Sequence, residues 1–79
     1  MKITYDPKHN VAYIRLHEKS AQVVTLHVSE DLNVDVAPDG TIYGIEFLNA
    51  NDQLAKEDDG RLIFVNESSH KRTELPLAS

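Results

Sequence analysis

The sequence predicts a mainly β protein, α+β at most, built as an antiparallel β-meander of five to six short strands. Three observations predict this fold. Short runs in which apolar and polar residues alternate follow one another almost from the first residue. The polar turns between the runs are short, and short connections make consecutive strands antiparallel neighbours. The stretch from Val34 to Leu48 has the pattern of a strand, a Pro-Asp-Gly turn and a second strand.

Six strand patterns account for most of the chain. The first alternates Ile3 and Tyr5 with polar residues and ends at Pro7, which has no amide hydrogen to donate to a ladder. The third is rich in β-branched residues, and the fourth shows the cleanest alternation. The sixth is apolar on both sides, which is typical of a short buried strand. The predicted strands are residues 2–6, 11–16, 22–28, 32–36, 41–48 and 61–66.

The turn between the fourth and fifth strands carries the clearest local signal. Pro38 presets φ for the first turn position, and Asp39 is tolerated at the second. Gly40 takes the left-handed position that closes a three-residue loop. The sequence therefore predicts a tight β-hairpin at this point.

The loop length also predicts the register of the hairpin. Val36 lies opposite Ile42, and Val34 lies opposite Gly44, which leaves three apolar side chains of the fifth strand on the other face. Those side chains are Tyr43, Ile45 and Phe47. A sheet with one solvated face does not expose such a row, so either residues 50–65 or a second copy of the chain should cover it. Gly44 either opens space for an aromatic side chain of the covering element or marks a β-bulge.

A different pattern follows the fifth strand. Residues 49–60 begin with a plausible helix N-cap and end with glycine at a C-cap position. This pattern fits either a short helix near residues 50–58 or an irregular acidic loop. Residues 67–79 are polar, lack periodicity and contain Pro76, so we expect a poorly ordered C-terminal tail. The predicted organisation is one small β-rich domain, residues 1–66, followed by that tail.

The composition restricts the class of protein. A chain of 79 residues buries only roughly 60% of its unfolded surface, and without cysteine it has no disulfide or thiolate metal site to add stability. We therefore expect a homo-oligomer, most simply a dimer. The net charge of −5 and the lack of a basic stripe argue against direct binding of nucleic acid. No export signal or membrane-length apolar run is found, so we expect a cytoplasmic protein that does not contact a membrane.

One resemblance to a known family extends over about residues 1–50. The quoted segments are Lys2-Ile3-Thr4-Tyr5-Asp6-Pro7, Ala12-Tyr13-Ile14-Arg15-Leu16, Asp39-Gly40-Thr41-Ile42-Tyr43-Gly44-Ile45-Glu46 and Asn49-Ala50. In order and spacing they resemble a small bacterial family known as domain-of-unknown-function family 2283. Asn10 stands where that pattern would have an acidic residue. The resemblance implies a compact cytoplasmic sheet protein and brings no catalytic residues.

No pattern of residues indicates catalysis, a cofactor or a metal. There is no cysteine nucleophile, and no serine lies in a nucleophile elbow. The four histidines do not have metal-ligand spacing. Paired carboxylates lie in turns, where neighbouring side chains diverge. Glu46 is the one mid-strand charge that a turn role does not explain, and Arg15, Lys2 or an interface are its candidate partners.

Two functional interpretations remain. The first is a non-catalytic protein-interaction module, a homodimer that is antitoxin-like in one form and binds a small basic protein. It would use an exposed sheet edge or residues 62–77. The interface candidates are Tyr43, Ile45, Glu46, Phe47 and Phe64. The alternative is a small-molecule or metal-dependent enzyme with its site at a homodimer interface. That enzyme would use Tyr13, Tyr43, Glu46 and one or more histidines.

Overall fold

The computed structural model describes residues 1–18 and 22–77, and within them the fold is mainly β. The strands and helices form two sheets and one short helix. Their bounds are β1 Lys2–Asp6, β2 Val11–Arg15, β3 Val24–Ser29, β4 Leu32–Val36, β5 Ile42–Leu48, α1 Ala50–Leu54, a 3₁₀ turn Asp58–Gly60, β6 Arg61–Asn66 and β7 Lys71–Pro76. All pairings are antiparallel. The predicted fold class is confirmed, and the helix alternative near residue 50 is the correct one for Ala50–Leu54.

The strand order differs from the predicted meander. The five-stranded sheet has the order β1-β2-β5-β4-β3, so the chain leaves β2 for the far edge and returns through β4 to β5. Strands β2 to β5 therefore have Greek-key order. The crossing spans three strand spacings, about 14 Å, and the eight residues 16–23 can reach up to about 26 Å. The prediction of a meander assumed that every connection is too short to cross the sheet, but the connection from β2 to β3 is long enough to pass two strands.

The hairpin turn forms as predicted. The Ala37 amide donates to the Thr41 carbonyl over 2.9 Å, and the Gly40 amide donates to the Ala37 carbonyl over 2.9 Å. Asp39 Oδ1 accepts from the Thr41 amide at 2.9 Å, and Gly40 has a φ of 90°. Proline, aspartate and glycine thus take the positions that their backbone preferences favour.

The register beyond the turn was predicted incorrectly, because β5 contains a bulge. Val36 faces Ile42 as predicted, but Asp35 faces Gly44, so Tyr43 is an extra residue in β5. Past the bulge, Val34 lies opposite Ile45 rather than Gly44. Each later residue of β5 is likewise moved by one partner, since an added residue exchanges the two faces of a strand. The bulge is the second of the two roles that the sequence left open for Gly44.

This shift sorts the sheet into an apolar face and a polar face. Across β1, β2, β5, β4 and β3, one apolar row contains Ile3, Ile14, Ile45, Val34 and Leu26. The neighbouring polar row contains Thr4, Tyr13, Glu46, Asn33 and His27. The mismatch predicted for β4 and β5 therefore does not arise. Their apolar side chains share one face, as expected of an antiparallel sheet.

Three asparagines attach the start of α1 to the turn between β1 and β2. The Asn51 amide donates to Asn10 Oδ1 at 2.7 Å, and Asn10 Nδ2 donates to Asn49 Oδ1 at 3.3 Å. Asn10 and Asn49 both have positive φ, 59° and 52°, which asparagine adopts more readily than most residues. Ala50 is fully buried at this junction. An amide at position 10 both accepts and donates here, which a carboxylate would not do.

The C-terminal part forms a separate two-stranded sheet. Strands β6 and β7 pair from Arg61–Pro76 to Asn66–Lys71. The prediction of a buried β6 is wrong, since Phe64 and Val65 are 60% and 51% exposed. Where a poorly ordered tail was expected, residues 71–76 form β7, and residues 78–79 lie outside the described part. The alternation in β7 is faint because all of its residues are exposed.

The apolar interior is small. Among the described residues no large side chain is fully buried, and Ala12 and Ala50 are the buried apolar residues. The Cα radius of gyration is 14.1 Å, whereas a compact chain of this length would have about 12 Å. No helix in the described residues is long and apolar enough to cross a bilayer.

Candidate functional site

A hydrogen-bonded cluster of polar side chains lies on the polar face of the five-stranded sheet. Asn33 and Asp35, both on β4, are only 8% and 7% exposed. A cavity of about 430 Å³ opens above them. Its walls include Thr4, Tyr13, Thr25, Asn33, Asp35 and Glu46. We refer to it as the polar cavity.

The polar cavity is organised by Asp35. Tyr13 Oη donates to Asp35 Oδ2 at 2.7 Å, and Thr25 Oγ1 donates to Asp35 Oδ1 at 2.7 Å. These donors come from β2 and β3, which lie on opposite sides of the β5–β4 pair. Both carboxylate oxygens therefore accept a hydrogen bond from a hydroxyl group. Such bonds satisfy a carboxylate that would otherwise be costly to bury.

Gly44 allows Tyr13 to reach Asp35. In the sheet, Gly44 lies between Arg15 of β2 and Asp35 of β4. Tyr13 crosses this position, and a Cβ atom at residue 44 would lie only 1.9 Å from Tyr13 Oη. The tyrosine ring thus fills the space that a side chain at residue 44 would take. Space for an aromatic side chain of a covering element was one of the two roles that the sequence left open for Gly44, but the ring comes from the neighbouring strand β2.

A second chain of hydrogen bonds connects β3 to β5. Asn33 Nδ2 donates to Glu46 Oε1 at 2.9 Å. His27 Nδ1 lies 2.6 Å from Asn33 Oδ1, and because an amide oxygen only accepts, the histidine is the donor. Glu46 therefore pairs with Asn33 rather than with Arg15 or Lys2. Arg15 instead forms an ion pair with Glu18 at 3.0 Å.

The polar cavity changes the acidity of Tyr13. Burial and the hydrogen bond to Asp35 raise the pKa of Tyr13 to about 12, with smaller contributions from the charges of Asp35 and Glu46. Arg15 opposes this shift. Tyr13 is therefore a neutral phenol at physiological pH and acts as a hydrogen-bond donor.

The predicted site residues do not form one group. Ile45 and Phe47 are half-buried on the apolar face, while Glu46 lies on the polar face. Tyr43 lies at the bulge, with its ring 5.4 Å from that of His17. Phe64 is exposed on β6. A single partner on one face of the sheet would contact only part of this set.

The residues of the enzyme interpretation are partly brought together. Tyr13 and Glu46 are register partners on the polar face, and His27 reaches Glu46 through Asn33. Tyr43 is not part of this group. Within residues 1–18 and 22–77, no group of three or more His, Asp or Glu side chains is arranged to hold a metal ion.

Sequence reasoning missed Asp35, Asn33 and Thr25 as site residues. In the sequence they are ordinary polar positions of alternating strands. The available signal was a pair of polar residues two positions apart on β4, Asn33 and Asp35, so that both lie on one face, together with a glycine in the middle of β5. That signal becomes interpretable only once Tyr13 is known to lie beside Gly44.

The fold and the polar cluster define a small, mainly β protein with a five-stranded antiparallel sheet in Greek-key order. Residues 2–51 match the family model described as a protein of unknown function, DUF2283, which covers more than half of the chain. The chain belongs to this family, and the resemblance seen in the sequence is confirmed. Comparison with curated proteins and with solved structures gave no match. The family description assigns no activity.

Proposed function

We propose that the protein is a non-catalytic protein-interaction module that acts as a homodimer through the β3 edge and the apolar face beside it. The observation that carries this proposal is the exposure of the apolar side chains of β3. Val24, Leu26 and Val28 are 60%, 52% and 60% exposed. Contiguous apolar surface of this kind usually marks a protein contact.

The surface area supports a second copy as the occupant. The chain exposes 5987 Å², whereas a compact monomer of its mass would expose about 4,800 Å². The excess, on the order of 1,200 Å², is larger than the roughly 800 Å² that each partner buries in a standard interface. A dimer would thus bring the exposed surface per chain back to the usual range.

The outer edge of β3 fits strand addition by an identical strand. β3 contains no lysine, proline or acidic residue, which are the usual devices that protect an edge from pairing. A two-fold axis would place two β3 strands antiparallel and continue the sheet across the dimer. The uncharged strand also lets two chains of net charge −5 approach without close repulsion. Ile45 and Phe47 lie on the same apolar face and remain interface candidates.

A more specific form of this proposal is an antitoxin-like role, in which the protein binds a small basic protein. Residues 61–79 carry Arg61, Lys71 and Arg72 against Glu67 and Glu74, so the acidic excess lies in residues 1–60. A small basic partner would therefore be attracted to residues 1–60 rather than to the β6–β7 hairpin. Phe64, 60% exposed, gives the hairpin an apolar surface for a partner of another kind.

The proposed compartment is the cytoplasm, where a cysteine-free chain is at no disadvantage.

Analytical ultracentrifugation of the full chain over a range of micromolar concentrations tests the homodimer. The wild type should sediment at about twice its monomer mass. Leu26→Lys should raise the dissociation constant at least about tenfold, because lysine on an edge strand opposes pairing. Leu75→Lys is the matched control, since Leu75 is 56% exposed on β7.

Circular dichroism shows whether both variants keep their β structure. A wild type that remains monomeric throughout the concentration range would refute the homodimer. Dissociation by Leu75→Lys with an intact Leu26→Lys dimer would move the interface to the hairpin.

A further inference from the structure

We propose that the polar cavity binds an organic cation, an alkylguanidinium or alkylammonium group, with Glu46 as its main counter-charge. The inference goes beyond the homodimer, because the polar cavity lies on the face of the sheet opposite to the proposed interface. It rests on the volume, the wall chemistry and the preorganisation of the polar cavity.

The size of the polar cavity fits a small organic group. Its volume of about 430 Å³ is far larger than a single ion requires. It lies within the range of about 300–1,000 Å³ that small-molecule sites occupy. Val11 lies on the wall beside Thr4 and Tyr13, so an alkyl stem would have an apolar contact next to polar groups. The volume therefore favours a group that carries both a charge and a short carbon chain.

The charges of the wall select a cation. Asp6, Asp35 and Glu46 line the polar cavity, and no lysine or arginine within residues 1–18 and 22–77 is among the lining residues. Lys2 and Arg15 are on the same face but lie outside the wall, and Arg15 forms an ion pair with Glu18. An anion would be repelled from this wall, whereas a cationic donor would be attracted.

The two central carboxylates have different roles. Asp35 is 7% exposed, and its two oxygens already accept from Tyr13 and Thr25. Glu46 is half-buried, and Asn33 supplies one hydrogen bond to one of its oxygens. A carboxylate has about four acceptor positions, so Glu46 keeps capacity for a donor in the polar cavity. A guanidinium group could approach it with two parallel N–H bonds.

The wall is held in place before any ligand binds. Tyr13 rests on Gly44, where a Cβ atom would lie 1.9 Å from its hydroxyl oxygen. Asn33, 8% exposed, is fixed between His27 and Glu46. Side chains ordered in advance reduce the entropic cost of binding. Gly44 and the two buried polar residues therefore indicate a preorganised binding site rather than an incidental cluster of surface carboxylates.

Nuclear magnetic resonance titration of the full chain tests the proposal. The probes are agmatine as a free cation, and capped glycine-rich pentapeptides with a central arginine or a central citrulline. Citrulline has nearly the same shape as arginine but no charge. We expect saturable shifts at the Asn33 side-chain amide and at the β4 and β5 amides with the cations, and none with the citrulline peptide.

Two variants locate the charge that matters. Glu46→Gln keeps an acceptor for Asn33 but removes the charge, so it should weaken cation binding at least about tenfold. Glu57→Gln makes the same change in net charge at an exposed residue that lines a different groove, and should keep binding within about twofold of wild type. Leu26→Lys should still bind, which separates this test from that of the homodimer.

Each outcome decides the inference. Tighter binding of the arginine peptide than of agmatine would identify a basic side chain of a protein partner as the cation. Equal or tighter binding of agmatine would identify a free cation. Equal weakening by Glu46→Gln and Glu57→Gln, equal binding of the citrulline peptide, or linear shifts without saturation would overturn the proposal.

Discussion

The two faces of the five-stranded sheet differ in a way that reverses the usual arrangement. On the polar face, Asn33 and Asp35 are more than nine-tenths buried and hydrogen-bonded. On the apolar face, Val24 and Leu26 of the edge strand are more than half exposed. Apart from Ala12, the most protected side chains of the sheet are thus polar, whereas the aliphatic side chains of its β3 edge are exposed.

This difference shows which face of the sheet is stabilised by contacts within a single chain. The polar face is held by short-range hydrogen bonds among β2, β3, β4 and β5, which need no second molecule. Burial of the apolar face depends on layers placed over it, and α1 and the β6–β7 hairpin line a groove together with Ile3 and Ile14 of that face. The hydrogen bonds of the polar face are therefore complete within one chain, whereas the apolar side chains of β3 remain exposed in it.

The largest expected effect tests the role of Gly44. Gly44→Ala should lower the free energy of unfolding by about 3 kcal/mol, because the new methyl group displaces the Tyr13 ring and breaks its hydrogen bond to the buried Asp35 carboxylate. Urea denaturation of the wild type, both single variants and the Gly44→Ala/Tyr13→Ala double variant measures this effect. If the clash is the cause, the double variant costs less than the sum of the two singles. Simple additivity would show that Tyr13 and Gly44 are not coupled.

A smaller effect is expected from the Tyr13 hydroxyl. Tyr13→Phe should cost about 1.5 kcal/mol at neutral pH, since it removes one hydrogen bond to a carboxylate. The pKa of Tyr13 is raised to about 12, so the folded state holds the phenol proton more tightly than the unfolded state does. The contribution of the hydroxyl is therefore fully present below about pH 10, the ordinary phenol value, and is lost as the pH rises towards the folded value.

Urea denaturation of wild type and Tyr13→Phe at a series of alkaline pH values measures this change. The difference in stability between the two proteins should shrink across that interval. A difference that stays constant would show that folding does not raise the pKa of Tyr13.

The smallest expected effect is on the apolar face. Val24→Thr should change the unfolding free energy of the monomer by less than about 0.5 kcal/mol, because Val24 is 60% exposed. At concentrations that favour the homodimer the loss should increase, since stability then includes association. Urea midpoints at low and high protein concentration separate the two cases. Val65→Thr, at a 51% exposed position on β6, is the control and should show no dependence on concentration.

The sequence by itself determined the local elements and the family. Alternation of apolar and polar residues places the first five strands within one or two residues of their observed ends. The turn at Pro38–Gly40 forms as its residues predict, because φ preferences act locally. Glu46 was recognised as a charge outside any turn, and the match to residues 2–51 confirms the family.

The tertiary structure alone decided the strand order, the register beyond the bulge and the polar cavity. Each depends on residues far apart in the chain. The bulge at Tyr43 moves Glu46 to the face of Asn33, and the position of β2 beside β5 brings Tyr13 over Gly44. Local propensity does not specify which strands become neighbours, because that choice depends on the surface buried by the whole sheet.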